Sequence, residues 1–223
     1  MKRFLLTSYG ITNQKIADAL FDLVGKKDFR TLIIAEAHYK KLSDKRWFIE
    51  ELKRYYDYIP GKIDFVNLFG QSRDEILQHC ELADVIYVVG GGAGILSGVF
   101  EKTGFDRMLT SKLLDEKVYM GSSAGSMILT KVVDNPEFWT ALLTKPGMPV
   151  ESSDEKLMGV VNFGFVPHLN RPDRPFKTTE NMTRILANNP FPVYGVEDSQ
   201  AVVVRGDEIT FVGDGEIQIF GRK

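Results

Sequence analysis

Lys117-Val-Tyr-Met-Gly-Ser-Ser-Ala-Gly-Ser-Met-Ile-Leu129 decides how the chain folds. Residues 118–120 form a short apolar strand. Gly121-Ser122-Ser123-Ala124-Gly125 turns the chain, and the residues beyond are apolar with helical character. Gly-x-Ser-x-Gly between a strand and a helix is the setting of a nucleophile elbow. The sharp turn pushes the Ser123 hydroxyl beyond the sheet edge. Gly121 and Gly125 let strand and helix approach without collision. The helix N-terminus then brings N–H groups and a positive dipole end beneath the serine, where an oxyanion would form. In isolation the same residues could be a tight loop; the flanking strand and helix favour the nucleophile.

Upstream, apolar strands are expected at residues 4–8, 31–35, 63–68 and 84–89, each followed by a helical pattern. Asn13 can cap a helix over 14–24 with Ile16, Leu20, Phe21 and Val24 on one face. A helix opening at Ser43 or Asp44 and running to Tyr58 carries Trp47, Phe48, Leu52, Tyr55 and Tyr56 at core spacing. Ser72-Arg-Asp-Glu75 has the form of a capping box. Strands without alternation, separated by amphipathic helices, argue a parallel sheet covered on both faces, with ligands at the carboxyl ends of the strands. The fold class expected is α/β, with a mostly parallel central sheet and a β-rich C-terminal part.

Gly90-Gly91-Gly92-Ala93-Gly94 follows the fourth strand and precedes a helix at 95–102. The spacing is not that of a dinucleotide fingerprint and no Gly-Lys-Ser/Thr occurs, so nucleotide binding is not the expectation. The glycines make a tight turn, and their bare N–H groups can face the serine as further oxyanion donors.

Downstream, residues 134–159 carry three prolines and little periodicity, and read as an insertion or lid beside the site. Phe138 and Trp139 either shape a pocket or pin the loop. A strand over 162–168 ends at His168, followed by a loop with Arg171 and Arg174 and a helix at 176–188. Strands follow at 193–197, 201–205, 208–212 and 216–220, with hairpin turns at Gly206-Asp207 and at Gly213-Asp-Gly215.

The chain has 223 residues, 43% of them hydrophobic, which suits one α/β domain. A net charge of −2 gives no basic footprint for nucleic acid. The single cysteine, Cys80, excludes an internal disulfide framework and a cysteine zinc site. No stretch has the length of a membrane span and the N-terminal apolar run is too short for a signal peptide. A cytoplasmic protein, monomer or homodimer, without a metal or organic cofactor, is the expectation.

A serine nucleophile needs a base and an acid that orients it. Of three histidines, His38 lies in a charged stretch and His79 on a polar helix, so His168, at a buried strand end, is the base by elimination. The acid is left open among Glu197 and Asp198, adjacent at the end of a later strand, and Asp134 just past the elbow helix.

Four blocks in this order, Ile86-Tyr-Val-Val-Gly-Gly-Gly92, Gly121-Ser-Ser-Ala-Gly125, Val166-Pro-His168 and Gly195-Val-Glu-Asp-Ser-Gln-Ala201, resemble the peptidase E (aspartyl dipeptidase) and cyanophycinase family of serine peptidases. The resemblance implies a flavodoxin-like three-layer fold related to class I glutamine amidotransferases, with serine at the elbow in place of cysteine. It implies Ser123 as nucleophile, His168 as base, Asp198 as acid, and Gly92 and Ala124 as oxyanion donors. It also implies a small peptide as substrate, with Arg171 and Arg174 available to a substrate carboxylate. Ala93-Gly94 stands where the family often has Asn-Thr, which removes a polar side chain beside the oxyanion loop. The rival readings are an esterase or amidase on the same frame, and a ligand-binding relative without turnover.

Overall fold

The structure is a computed structural model that describes residues 1–36, 46–144 and 156–222. His38, the helix start at Ser43 or Asp44, and part of the 134–159 insertion lie outside the described residues.

Five strands, β1 (Arg3–Thr7), β2 (Phe29–Ile34), β3 (Gly61–Phe65), β4 (Val85–Val88) and β5 (Val118–Ser122), run parallel in the order β3-β2-β4-β5-β1. Successive side chains on a strand face opposite ways, and in β1, β2, β4 and β5 both ways are core, whereas the edge strand β3 has no buried residue. Phe4, Leu6, Ile34 and Val88 pack into one apolar cluster, while Leu5, Ile33, Tyr87 and Met120 pack into another on the opposite face. That is why these strands read as unbroken apolar runs.

Helices α1 (Gln14–Val24) and α2 (Arg46–Tyr58) cover the second cluster. Helices α3 (Arg73–Leu82) and α4 (Ala93–Thr103), with the turns α5 (Phe105–Met108) and α6 (Leu114–Glu116), cover the first. Asn13 caps α1 through a bond from Ile16 N, and Ser72 and Glu75 form the capping box of α3. The aromatic face expected on α2 differs from the one observed. Tyr55 is fully buried but Tyr56 is 60% exposed, and the second fully buried residue of the helix is Glu51. Glu51 and Tyr55 are one turn apart and share a face, whereas Tyr56 lies a further 100° round.

Beyond the elbow the helix is brief: α7 spans Ala124–Met127. The carbonyls of Ile128, Leu129 and Thr130 accept from Met158, Val160, Val161 and Gly159 instead of continuing a helix. Between them, α8 (Pro136–Leu143) buries Phe138 and Trp139, whose indole donates to Val133 O, so these aromatics pin the segment into the core.

The C-terminal part divides between two sheets. β6 (Gly164–Pro167), β7 (Val193–Val196) and β10 (Gln218–Phe220) form a small sheet in the order β10-β7-β6, with α9 (Thr179–Ile185) in the connection between β6 and β7. β8 (Gln200–Arg205) and β9 (Glu208–Gly213) extend the large sheet antiparallel from β1. Gly206-Asp207 is a hairpin turn, as expected. Gly213-Asp-Gly215 is not: there the chain leaves β9 for β10 in the other sheet. Two strands of similar pattern around a glycine pair look alike whether they pair with each other or separate. No helix of the described residues is long and apolar enough to cross a membrane.

Candidate active site

β5 carries Ser123 to the carboxyl edge of the sheet, and the residue sits at φ 49°, ψ −110°, a region non-glycine residues avoid. Such a conformation costs on the order of 1–3 kcal/mol and persists only where surroundings enforce it. Ser123 N donates to Thr7 O at 3.0 Å, and Ser126 Oγ donates to the same carbonyl at 2.7 Å, clamping the elbow to β1. A side chain on Gly121 would place its Cβ 2.5 Å from Gly125 O, and one on Gly125 would strike Val88 O. The close crossing of strand and helix therefore requires both glycines. The glycine run after β4 lies against the elbow: a Cβ on Gly90 would sit 3.0 Å from Ser123 Cβ. Gly92 is the N-cap of α4 and Ala124 the first residue of α7. The first N–H groups of a helix have no intrahelical acceptor.

His168 follows β6 with φ 59° and is 7% exposed. Its Nε2 lies 3.0 Å from Ser123 Oγ and its Nδ1 2.6 Å from Asp198 Oδ1. Asp198, in the turn between β7 and β8, is the carboxylate against the imidazole. Glu197 beside it turns to Asn170, which donates to Glu197 Oε1 at 2.8 Å. Asp134 is exposed ahead of α8, with no contact to His168 among those described.

Burial depresses the His168 imidazole to about 4, with Lys177 and Arg171 acting in the same direction; the bond to Asp198 opposes this and is outweighed. Burial acts to raise Asp198, but bonds from His168 and Ser8 and the Arg171 charge hold it below the usual carboxylate range. The pair is therefore neutral imidazole beside carboxylate at neutral pH, the protonation in which Nε2 can accept a proton from Ser123 Oγ.

Sequence reasoning missed Ser8. Fully buried at the end of β1, it accepts from His168 N at 2.7 Å and donates to Asp198 Oδ1 at 2.7 Å. Its signal was present, as a hydroxyl at the carboxyl end of an apolar strand, where such sheets place their sites. Tyr9 was missed as well: its ring meets the His168 ring edge-on at 5.9 Å, and Arg54 Cζ stands 4.2 Å from its centroid. Thr12 and Asn13 donate to the carbonyls of Asp198 and Ser199, tying the acid's turn to the entry of α1.

Arg171 is engaged by Asp198 through Nη1 at 3.2 Å and by Asp173 through Nε at 2.7 Å. Arg174 has a side chain only 14% exposed; its Nε is 3.9 Å from Asp173 and makes no hydrogen bond.

A family model described as peptidase family S51 matches residues 4–212. Among curated proteins, an uncharacterised peptidase of Listeria monocytogenes is 25% identical over 73% of this chain and 77% of its own. One of Pasteurella multocida is 22% identical over 92% of this chain and 94% of its own. Peptidase E of Streptomyces coelicolor is 29% identical over 66% of this chain and 59% of its own. A crystal structure of a candidate peptidase E protein from Listeria monocytogenes superposes with a TM-score of 0.73 at 19% identity, over 96% of this chain and all of the other. A peptidase from an acI-B1 actinobacterium gives 0.70 at 18%, over 99% and 91%. The two structures establish the fold. The family match runs from the first strand of the large sheet to its last, across the frame that brings Ser123 and His168 together, and makes the chain a member of peptidase family S51, a serine-type peptidase.

Proposed function

We propose that the chain hydrolyses short peptides through Ser123, His168 and Asp198, with the dipeptidase activity that the name peptidase E implies. The observation that carries this is the unbroken relay Ser123 Oγ, His168 Nε2, His168 Nδ1, Asp198 Oδ1 at 3.0 and 2.6 Å. Ser123 Oγ attacks the scissile carbonyl as its proton passes to His168 Nε2. The imidazolium so formed is stabilised by Asp198, and the negative oxygen lies between the N–H groups of Gly92 and Ala124. His168 then returns the proton to the leaving amine, and water releases the acyl group by the same steps in reverse. Depression of the free imidazole to about 4 weakens the base before substrate binds. An oxyanion beside it offsets that cost as charge develops.

Ser8 orients both partners of the pair, holding Asp198 Oδ1 and the His168 backbone with one hydroxyl. Of the two arginines near the site, Arg174 is the better candidate for a substrate carboxylate, since Arg171 is committed to Asp198 and Asp173. The same reading keeps the chain as one catalytic unit, a monomer or homodimer in the cytoplasm, with residues 134–159 as an insertion beside the site.

The test is a panel of dipeptides with acidic and neutral first residues, longer peptides and aryl esters, run with wild type and Ser123→Ala. A dipeptide should turn over in wild type and lose at least about a thousandfold in the folded variant. Equal turnover by both proteins would remove Ser123 from the chemistry, and turnover of esters alone would replace the peptidase with an esterase.

A further inference from the structure

Helix α2 turns a carboxyl group toward the sheet. Glu51 is 1% exposed, and Tyr87 of β4 donates its hydroxyl to Glu51 Oε1. Glu51 Oε2 and Ser122 Oγ are both buried and neither meets hydrogen-bond geometry. Ser122 nevertheless lies close enough to act on the carboxyl, as does Tyr87. Ser122 is the last residue of β5, immediately before Ser123, and pairs with Thr7 of β1.

The other side of the carboxyl faces the loop after β1. A Cβ on Gly10 would lie 3.1 Å from Glu51 Oε1 and 2.9 Å from Tyr87 Oη, so the loop backbone rests directly on this pair. Gly10 N donates to Thr7 Oγ1, which donates in turn to Gly121 O at 2.8 Å. Two residues before Gly10 stands Ser8, which holds His168 and Asp198. Glu51 thus bonds β4 through Tyr87, lies against the loop that holds the imidazole and its acid, and feels the hydroxyl at the strand end that delivers Ser123.

We infer that Glu51 is a positioning residue of this site, its carboxyl fixing from beneath the separation between Ser123 and His168. The inference rests on the reading of Ser123, His168 and Asp198 given above. Burial raises the carboxyl, and the Asp198 charge adds to this, while Ser122, Tyr87 and the Arg54 charge oppose it. In the neutral form Oε1 accepts from Tyr87 and Oε2–H supplies a donor for the unpartnered Ser122 Oγ. Glutamine offers the same acceptor and donor through its amide, and alanine offers neither.

Two readouts separate this role from plain structural support. The first is the rate at which a fluorophosphonate labels Ser123. Glu51→Ala should lower it at least about tenfold at unchanged melting temperature, and Glu51→Gln should restore it to within about threefold. The second is the His168 Nδ1–H proton resonance, which should move in Glu51→Ala and return in Glu51→Gln. Should Glu51→Ala fail to fold, Ser122→Ala and Tyr87→Phe each remove one hydroxyl beside the carboxyl, and each should slow labelling about threefold or more. A folded Glu51→Ala or Ser122→Ala with wild-type labelling and an unmoved resonance would overturn the inference. So would slowing only in proportion to unfolded protein, or a Glu51→Gln as damaged as Glu51→Ala. A wild type that neither labels nor cleaves any peptide would instead strike the peptidase reading, and the resonance would still decide the role of Glu51.

Discussion

The two halves of the site are built differently. The Ser123 half is local: strand, turn and helix lie within ten residues, and its tight geometry is enforced by glycines at 121 and 125 whose Cβ atoms would have nowhere to go. The His168 half is assembled from three distant segments. Ser8 directly follows β1, His168 directly follows β6 in the other sheet, and Asp198 lies in the turn by which the chain passes from one sheet to the other. A local device is announced by the spacing of small residues. A node of distant segments is announced only by where each one ends, and its members can be ranked but not joined.

The largest test of that contrast is His168→Ala. Removal of the base should lower kcat by a factor on the order of 10⁴ or more while Ser123 keeps its strained backbone and the fold persists. Circular dichroism and steady-state kinetics check both parts; near-normal turnover would mean that the serine half acts alone.

The acid limb of activity comes next. His168 is neutral above about 4 and must be neutral to accept a proton, so activity is present above that pH and lost as pH falls through it. The pH profile of kcat/KM should be flat from 5 to 7 and about tenfold down at pH 3. A limb centred at 6.5, the ordinary imidazole value, would place His168 in a wetter setting than the one described.

Ser8→Ala should lower kcat by about tenfold at unchanged KM, the loss of one charge-assisted hydrogen bond at a half-buried carboxylate. Glu197→Gln and Asp134→Asn should change kcat less than about twofold, because neither side chain reaches the imidazole. A drop of a hundredfold in either would move the acid away from Asp198.

Much of the large sheet was legible because its four inner parallel strands are apolar on both faces and each helix has its own cap or stripe. The fate of the C-terminal strands was not. β8, β9 and β10 carry similar patterns, and only pairing in space separates the hairpin at Gly206 from the crossing at Gly213. Within the site, Ser123 and His168 stood out by position. The choice among Asp134, Glu197 and Asp198 rested on resemblance, since adjacent carboxylates in a turn give no periodicity from which to read direction. Ser8 and Glu51 stayed hidden for opposite reasons. Ser8 is one hydroxyl among many, and Glu51 sits in a helix whose aromatics drew the apolar stripe slightly off its true face.

The central claim is that Ser123 is activated by His168. It is tested most directly by exposing the protein to a fluorophosphonate and locating the adduct by peptide mass spectrometry, in wild type and in His168→Ala. The account predicts a single adduct on Ser123 in wild type and almost none in the variant. An adduct on another residue, or equal labelling of Ser123 in both proteins, would contradict it.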